Sequence, residues 1–431
     1  MKQRPGKTSS PALVAFASFI GTAVEWYDFF LYGAATALVF NFLFFPQGDP
    51  AVATIAAFGV YAVGFFARPV GGIVCGHFGD KIGRKSMLVL TLLLMGVATF
   101  LIGLLPGYAV IGIWAPILLV ALRVVQGFGV GGEWGGAILM AVEHAPADKR
   151  GFYGSWAQMG VPAGLLLSTA VLHLLSGLSG DNFLTWGWRI AFLISIVLVG
   201  VGFFIRTSVV ESEDFTRVKE THKVVRLPIV EVLTKHRRAV LIAMGARLAE
   251  NGGFYMFSVF VLTYGTQVAG FTASQVLSAV FIGSALEMCT IPIYGALSDR
   301  FGRKPLYLLG ATLTALLAFP FFWLLDTQTI WGLNLAVILG LPVAHAAMYG
   351  PQASFFSELF SPEIRYSGAS LGYQLASVFA GGLAPLAAVA ILKSTGQSWP
   401  VSLMIIGMCV LTFIAVAVAG ETAVRTRAKG C

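Results

Sequence analysis

The chain has 431 residues, of which 57% are hydrophobic and 11% charged, with a formal net charge of +8 and a mean hydropathy of +0.82. That is too apolar for an ordinary soluble domain and too poor in polar tracts for a disordered one, so the chain belongs mostly in lipid. Apolar runs of about 20 residues, rather than alternating segments of about 10, select helices over a β-barrel.

In chain order, spans are expected at 14–42, 52–77, 87–106, 112–140, 152–176, 186–205, 239–264, 274–297, 306–325, 330–356, 367–392 and 399–420. The first follows Lys2, Arg4 and Lys7 and contains Glu25 and Asp28; its long apolar run reads as a retained span, not a cleaved signal peptide. Twelve spans put both ends on one side. Of the 28 basic residues, 23 fall in the ends or in loops on that side, four (Arg68, Arg123, Arg189, Arg247) fall inside spans, and Lys393 alone lies in an opposite loop. This bias places both termini and the central loop in the cytoplasm. The central loop, 206–238, holds five acids among eight basic residues and reads as surface helices or a linker between an N-terminal half, 1–205, and a C-terminal half, 239–431. The inside bias explains its charge without a nucleic-acid partner. Cys75, Cys289, Cys409 and Cys431 lack metal-ligand spacing, and neither metal nor cofactor is expected.

The decapeptide GHFGDKIGRK at 76–85 returns as GALSDRFGRK at 295–304, in short hairpins after spans two and eight. Gly76 and Gly79, with Gly295 and Gly302, permit close approach or unusual backbone angles, and Gly83 is counted with the hairpin as part of a cytoplasmic gate. Asp80 and Asp299 can cap a helix or pair with a base, and Arg84 and Lys85, with Arg303 and Lys304, are expected to meet the anionic leaflet. The interval from Glu143 to Arg150 after span four recurs from Glu358 to Arg365 after span ten. Duplication into parallel six-helix halves around a central pathway follows.

The repeated hairpin, together with RVVQG at 123–127, resembles the major facilitator superfamily. GTAVEWYDFFLYG at 21–33, the Arg68–Pro69 pair and GFGVGGEWGG at 127–136 resemble its metabolite:proton symporters, over nearly the full length. FFPQ at 44–47, WAPILLVALRVVQGF at 114–128 and RYSGASLGYQLASVFAGG at 365–382 are similar to bacterial shikimate transporters. The resemblance implies an all-α integral membrane protein, twelve helices in two halves, working as a monomer in the inner membrane of a bacterium.

An ionisable group inside a span costs about 2.5–3.5 kcal/mol on insertion scales and needs a partner or a polar cavity. Glu25 and Asp28 share one helical face, and two close carboxylates suit a group that carries or gates the proton; the alternative is that one of them satisfies an arginine or a backbone group. Arg123 can neutralise a carboxylate in one state and release it in another, with Gln126 one turn on, or it can simply pair with Glu25, Asp28 or Glu133. Arg68, near mid-membrane, and Tyr32 complete the polar set of the first half as candidate cargo contacts beside Arg123 and Gln126, and Glu133 joins Glu25, Asp28 and Arg123 as a candidate for proton coupling. In the second half Arg247, Glu250 and Asn251 cluster at i, i+3 and i+4, followed by Tyr255. Facing a cavity, they can hold a carboxylate and hydroxyls, or form an internal pair. Glu287 and His345 add further polar groups that can touch cargo, or His345, alone beside alanines, is a packed hydrogen-bonding residue.

GFGVGGEWGG lacks the Lys-Ser/Thr of a phosphate loop and lies in a span, so close helix packing accounts for it. No nucleophile, base and orienter converge, so the chain is not read as an enzyme. The expected function is proton-coupled uptake of a small hydroxylated organic acid, shikimate or dehydroshikimate, by alternating access. The alternatives are symport of 2-oxoglutarate, citrate or a betaine, a membrane sensor, or a membrane enzyme. The expected partners are the organic acid, protons and membrane lipids.

Overall fold

The computed structural model describes residues 10–45, 50–179, 182–207, 211, 216 and 228–422. Among these the regular structure is helical: α1 (Pro11–Ala35), α2 (Pro50–Ile82), α3 (Arg84–Leu104), α4 (Trp114–Glu143), α5 (Arg150–Ser179), α6 (Trp188–Thr207) and α7 (Arg237–Tyr255). α8 (Ala273–Phe301), α9 (Arg303–Asp326), α10 (Ile330–Glu358), α11 (Arg365–Thr395) and α12 (Trp399–Val418) follow. Among the described residues, ten stretches are long and apolar enough to cross a membrane, against the twelve expected. α2 and α7 fall outside that set, and α7 carries Arg237, Arg238, Arg247, Glu250 and Asn251. Residues 1–9 and 423–431, and with them the basic ends, lie outside the described residues, as does most of the central loop; within that loop Pro228–Lys235 is helical.

Local chemistry sets several starts. Ser10 caps α1, Thr272 and Gln275 form a reciprocal capping box on α8, and Thr329 caps α10. The packing has an internal repeat: α1 lies on α5 as α7 lies on α11, α2 on α4 as α8 on α10, and α3 on α6 as α9 on α12. The contacts between the two sets obey the same rule, α5 against α8 and α11 against α2. Large apolar side chains such as Phe66, Phe204, Leu316 and Trp323 point outward, while the buried interior holds arginines and carboxylates. That inversion of the soluble pattern is what a lipid solvent selects. π-helical turns interrupt α10 at Leu339–His345 and α11 at Val378–Leu383, and another, Met256–Phe260, follows α7. Such turns leave the regular hydrogen-bond ladder and often mark functional positions; these three adjoin the polar centre.

Candidate functional site

Each decapeptide turns between helices at a glycine of positive φ, Gly83 at 121° and Gly302 at 105°, where a side chain would be strained. The aspartates cap helices far away in sequence. Asp80 accepts the backbone N–H groups of Tyr366 at 3.2 Å and Ser367 at 2.9 Å, at the start of α11. Asp299 accepts those of Gly151 at 2.7 Å and Phe152 at 2.9 Å, at the start of α5. Each carboxylate therefore meets the positive end of a helix dipole. Gly76 and Gly295 allow the approach: a Cβ on Gly76 would stand 2.9 Å from Ser367 Cα, and one on Gly295 2.6 Å from the Gly151 carbonyl.

Arg84 lies 3.8 Å from Asp80 and donates to Glu143 at 3.4 Å and to the Pro362 carbonyl at 2.9 Å. Arg303 donates to Asp299 at 2.6 Å, Ser298 Oγ at 2.9 Å and Glu358 at 3.4 Å. Both arginines are essentially unexposed, which corrects the expectation that they face the leaflet: the acids of this latch hold them inside. Lys85 and Lys304 turn to the end carbonyls of Thr207 and of Ala417 and Ala419. Glu143 and Glu358, the start of the second repeated interval, are thus the matching partners of the two repeated arginines, and Arg365 also reaches Glu143 at 3.2 Å.

Asp80 lies beyond the apolar run of α2. Burial raises its carboxyl to about 6, against the opposing pull of Arg84 and the Ser367 and Tyr366 N–H groups. An exposed aspartate titrates near 3.9. The contact of Asp80 with the start of α11 therefore holds the proton more tightly than a parted one would, so acidification from about pH 6 to 4 favours the joined state by roughly tenfold per unit. Spin labels on either side of the latch should report more of the closed distance at pH 5 than at pH 7, and Asp80→Asn should flatten the response. A closed fraction that falls on acidification would reject this linkage.

At the centre of the first helices Arg68 sits in an aromatic cage, its Cζ 4.4 Å from the Phe29 ring centre, 4.5 Å from Phe65 and 5.5 Å from Trp26. Its Nε and Nη2 have no hydrogen-bond partner among the described residues. Arg123 lies 4.1 Å from the Tyr32 ring centre and donates to Gln126 at 3.3 Å; Gln126 in turn donates to Thr99 at 2.7 Å. Glu25 and Asp28 are buried, and no hydrogen bond of regular geometry reaches their carboxylate oxygens among the described residues. Glu133 is different. Arg206 grips it, with Nη1 at 2.8 Å and Nη2 closing on the second oxygen, and Thr91 donates at 2.9 Å. Arg206, expected in the central loop, is instead the buried last turn of α6; its charge at the end of an apolar run gave no sign of facing inward.

In the later helices Arg247 donates to Glu250 at 2.6 Å, Asn251 at 3.3 Å, Ser377 at 3.2 Å and Gln352 at 3.4 Å, and stacks 3.2 Å from the Tyr373 ring centre. Tyr373 stacks on Trp134, whose Nε1 donates to Gln158 at 2.8 Å. His345 contacts Glu287 through Nδ1 and Glu250 through Nε2, the latter at 3.1 Å. Glu250, Glu287 and His345 are therefore committed to one another. Asn251 Nδ2 and Tyr255 OH are buried with no partner among the described residues, and Tyr255 lies within electrostatic reach of Arg68, Arg247 and Arg123. Sequence reading missed Trp134, Gln158, Gln352 and Tyr373, because isolated aromatic and amide residues in apolar helices carry no periodic signal.

Arg189, one of the four basic residues expected inside spans, donates to the carbonyls of Gly103 and Leu105 at 2.8 Å each and so closes the end of α3.

Comparison with known proteins agrees with this architecture. Residues 12–385 match the Major Facilitator Superfamily. The chain is 45% identical over 402 residues to the shikimate transporter of Escherichia coli K12, covering 92% of each. It is 41% identical over 415 residues to the inner membrane metabolite transport protein YhjE of the same organism, covering 95% of this chain and 94% of that one. Among solved structures, the proton:xylose symporter XylE bound to 6-bromo-6-deoxy-D-glucose superposes with a TM-score of 0.73 at 19% identity, covering 94% of each chain. The relatives are transport proteins, in accord with a carrier and not an enzyme.

Proposed function

The chain belongs to the Major Facilitator Superfamily, in its metabolite:proton symporter group, and from that premise we propose that it imports a hydroxylated monocarboxylate, shikimate or dehydroshikimate, together with protons. The relative named a shikimate transporter supports this cargo. In this reading α2 and α7 also cross the inner membrane, giving twelve spans in two halves, 1–205 and 239–431, with both termini and the latch cytoplasmic. The closed latch, built on Gly76, Asp80, Gly83, Arg84, Gly295, Asp299, Gly302 and Arg303, then bars the cytoplasmic exit until the halves rock.

The observation that carries the proposal is a charge balance. Glu133 is tied to Arg206, and Arg247 to Glu250. The remaining charges near the centre of the first half are Arg68 and Arg123 against Glu25 and Asp28. A proton on one acid leaves a net charge of +1, which a monocarboxylate cancels; cargo and proton then favour each other's binding, and the linkage is reciprocal. Arg68 offers two unoccupied donors to the carboxylate, while Asn251 Nδ2 and Tyr255 OH await hydroxyls. Tyr32, Arg123, Gln126 and Arg247 complete the walls, with Glu250, Glu287 and His345 behind them. A dicarboxylate or citrate would require further protonation or another cation. A betaine would want the box of Trp26, Phe29 and Phe65, which Arg68 already fills.

The direct test is radiolabelled uptake into proteoliposomes from a panel of shikimate, dehydroshikimate, 2-oxoglutarate, citrate and glycine betaine, with and without an inward proton gradient. Accumulation of the hydroxylated monocarboxylates only with the gradient is expected; accumulation indifferent to the gradient would sink the symport reading.

Gly381 gives a finer test of where cargo sits. A Cβ there would stand 2.9 Å from both Asn251 Nδ2 and Tyr255 Cε2. Overpacking of this kind costs about 1–3 kcal/mol, so if the cargo-bound state bears it Gly381→Ala should raise the transport KM by roughly 5- to 160-fold. An unchanged KM would move the hydroxyl-binding wall elsewhere.

A further inference from the structure

Glu287 on α8, His345 on α10 and Glu250 on α7 form a buried line in which both imidazole nitrogens face carboxylate oxygens. A neutral imidazole has one N–H, so it can donate to only one of two ionised carboxylates; the other would meet a nitrogen lone pair across a hydrogen-bond distance, out of water. The arrangement closes only if the trio holds one proton more than a neutral histidine and two carboxylates, either on the ring or on a carboxyl. Charge agrees with this count. Arg247 balances Glu250, and the extra proton balances Glu287; without it the buried group carries an uncompensated negative charge.

Position makes the proton exchangeable. Glu250 is held by Arg247 at 2.6 Å and Gln352 at 2.7 Å, whereas Glu287 Oε2 has no partner among the described residues and is the loose end. Gln352 also receives a hydrogen bond from Gln158 of α5 at 3.2 Å, across the contact between the two sets of helices. Separation of α5 from α10 breaks that bond and frees Gln352 to leave Glu250. The other ionisable groups around His345 are Tyr349, stacked on it from α10, and Tyr307 of α9 and Tyr373 of α11, reached through Gln352 and Arg247.

We infer that Glu287, His345 and Glu250 form a second proton-binding site, distinct from Glu25 and Asp28, which is loaded while the latch is closed and gives up its proton when α5 and α10 part. In its transport consequence this rests on the symport reading; in its proton count it does not. The first arm uses full-length protein in nanodiscs at pH 8, with histidine ring nitrogens labelled for NMR and carboxyl groups followed by infrared. The wild type should show a doubly protonated imidazole absent from His345→Gln, or a carboxylic-acid band absent from Glu287→Gln. A wild type with neither signal overturns the inference. The second arm measures proton-to-cargo stoichiometry from accumulation at static head. Glu287→Gln should lower it by one, a loss of about tenfold in accumulation at a one-unit pH gradient; an unchanged stoichiometry in a folded variant overturns the exchangeable role. Wild-type protein that accumulates no panel cargo would instead defeat the symport reading and leave the spectroscopic arm to decide the site.

Discussion

Replacing Asp28 by Asn in a Glu287→Gln background, where the second proton site is already silenced, should abolish gradient-driven accumulation in proteoliposomes, bringing the inside-to-outside cargo ratio to about 1, while cargo binding and cargo-for-cargo exchange persist. Asn matches the protonated acid in shape and charge. With Glu25 ionised, the centre then keeps the +1 balance that receives a monocarboxylate whether or not a proton is present. Cargo no longer needs the proton to bind, and the proton no longer needs cargo to cross, so the linkage between them vanishes.

The same logic sets the pH dependence. In the wild type one acid must be protonated for the centre to be net positive, so cargo affinity should weaken as pH rises. In Asp28→Asn that slope should flatten. Equilibrium binding by scintillation proximity at a series of pH values reads this directly. A variant that still concentrates cargo against its gradient would remove Asp28 from the proton path, and Glu25→Gln would become the next test. Loss of binding altogether would mean that Asp28 contacts cargo.

The helices were legible because lipid demands long apolar runs, and the structure begins and ends them within several residues of the expected spans. The repeat was legible too, since a duplicated hairpin keeps its charges. What those charges do was not: Asp80 caps a helix that begins nearly three hundred residues later, and no local pattern encodes that pairing. The repeated Glu143 and Glu358 were visible as a correspondence, but their partners, Arg84 and Arg303, were read as surface residues because basic hairpins usually face headgroups. The clusters of Arg247, Glu250 and Asn251 and of Arg123 and Gln126 could be seen because helical spacing places them on one face. Gln158 and Gln352 meet across two helices, and only folding brings them together.

Arg206 is where sequence and structure disagree most, and the disagreement predicts a large effect. The Arg206–Glu133 pair is buried on both sides, and Arg206 also donates to the Leu88 carbonyl at 2.6 Å. Removing one member of such a pair strands the other charge out of water, at about 3–5 kcal/mol. Arg206→Met should therefore lower the thermal midpoint in detergent by on the order of 10 °C. Glu133→Gln should cost less, because the amide oxygen still accepts from Arg206 and Thr91. The double variant Glu133→Gln, Arg206→Met strands neither charge and should recover most of the loss. It also separates two roles for Glu133. A fastener between α4 and α6 can be replaced as a pair, so the double variant should keep gradient-driven accumulation within about threefold of wild type, consistent with the near-neutral exchange of buried pairs for uncharged ones. If instead it folds, binds cargo and no longer accumulates it, Glu133 belongs with Glu25 and Asp28 in the proton path, and the charge balance at the centre must include it.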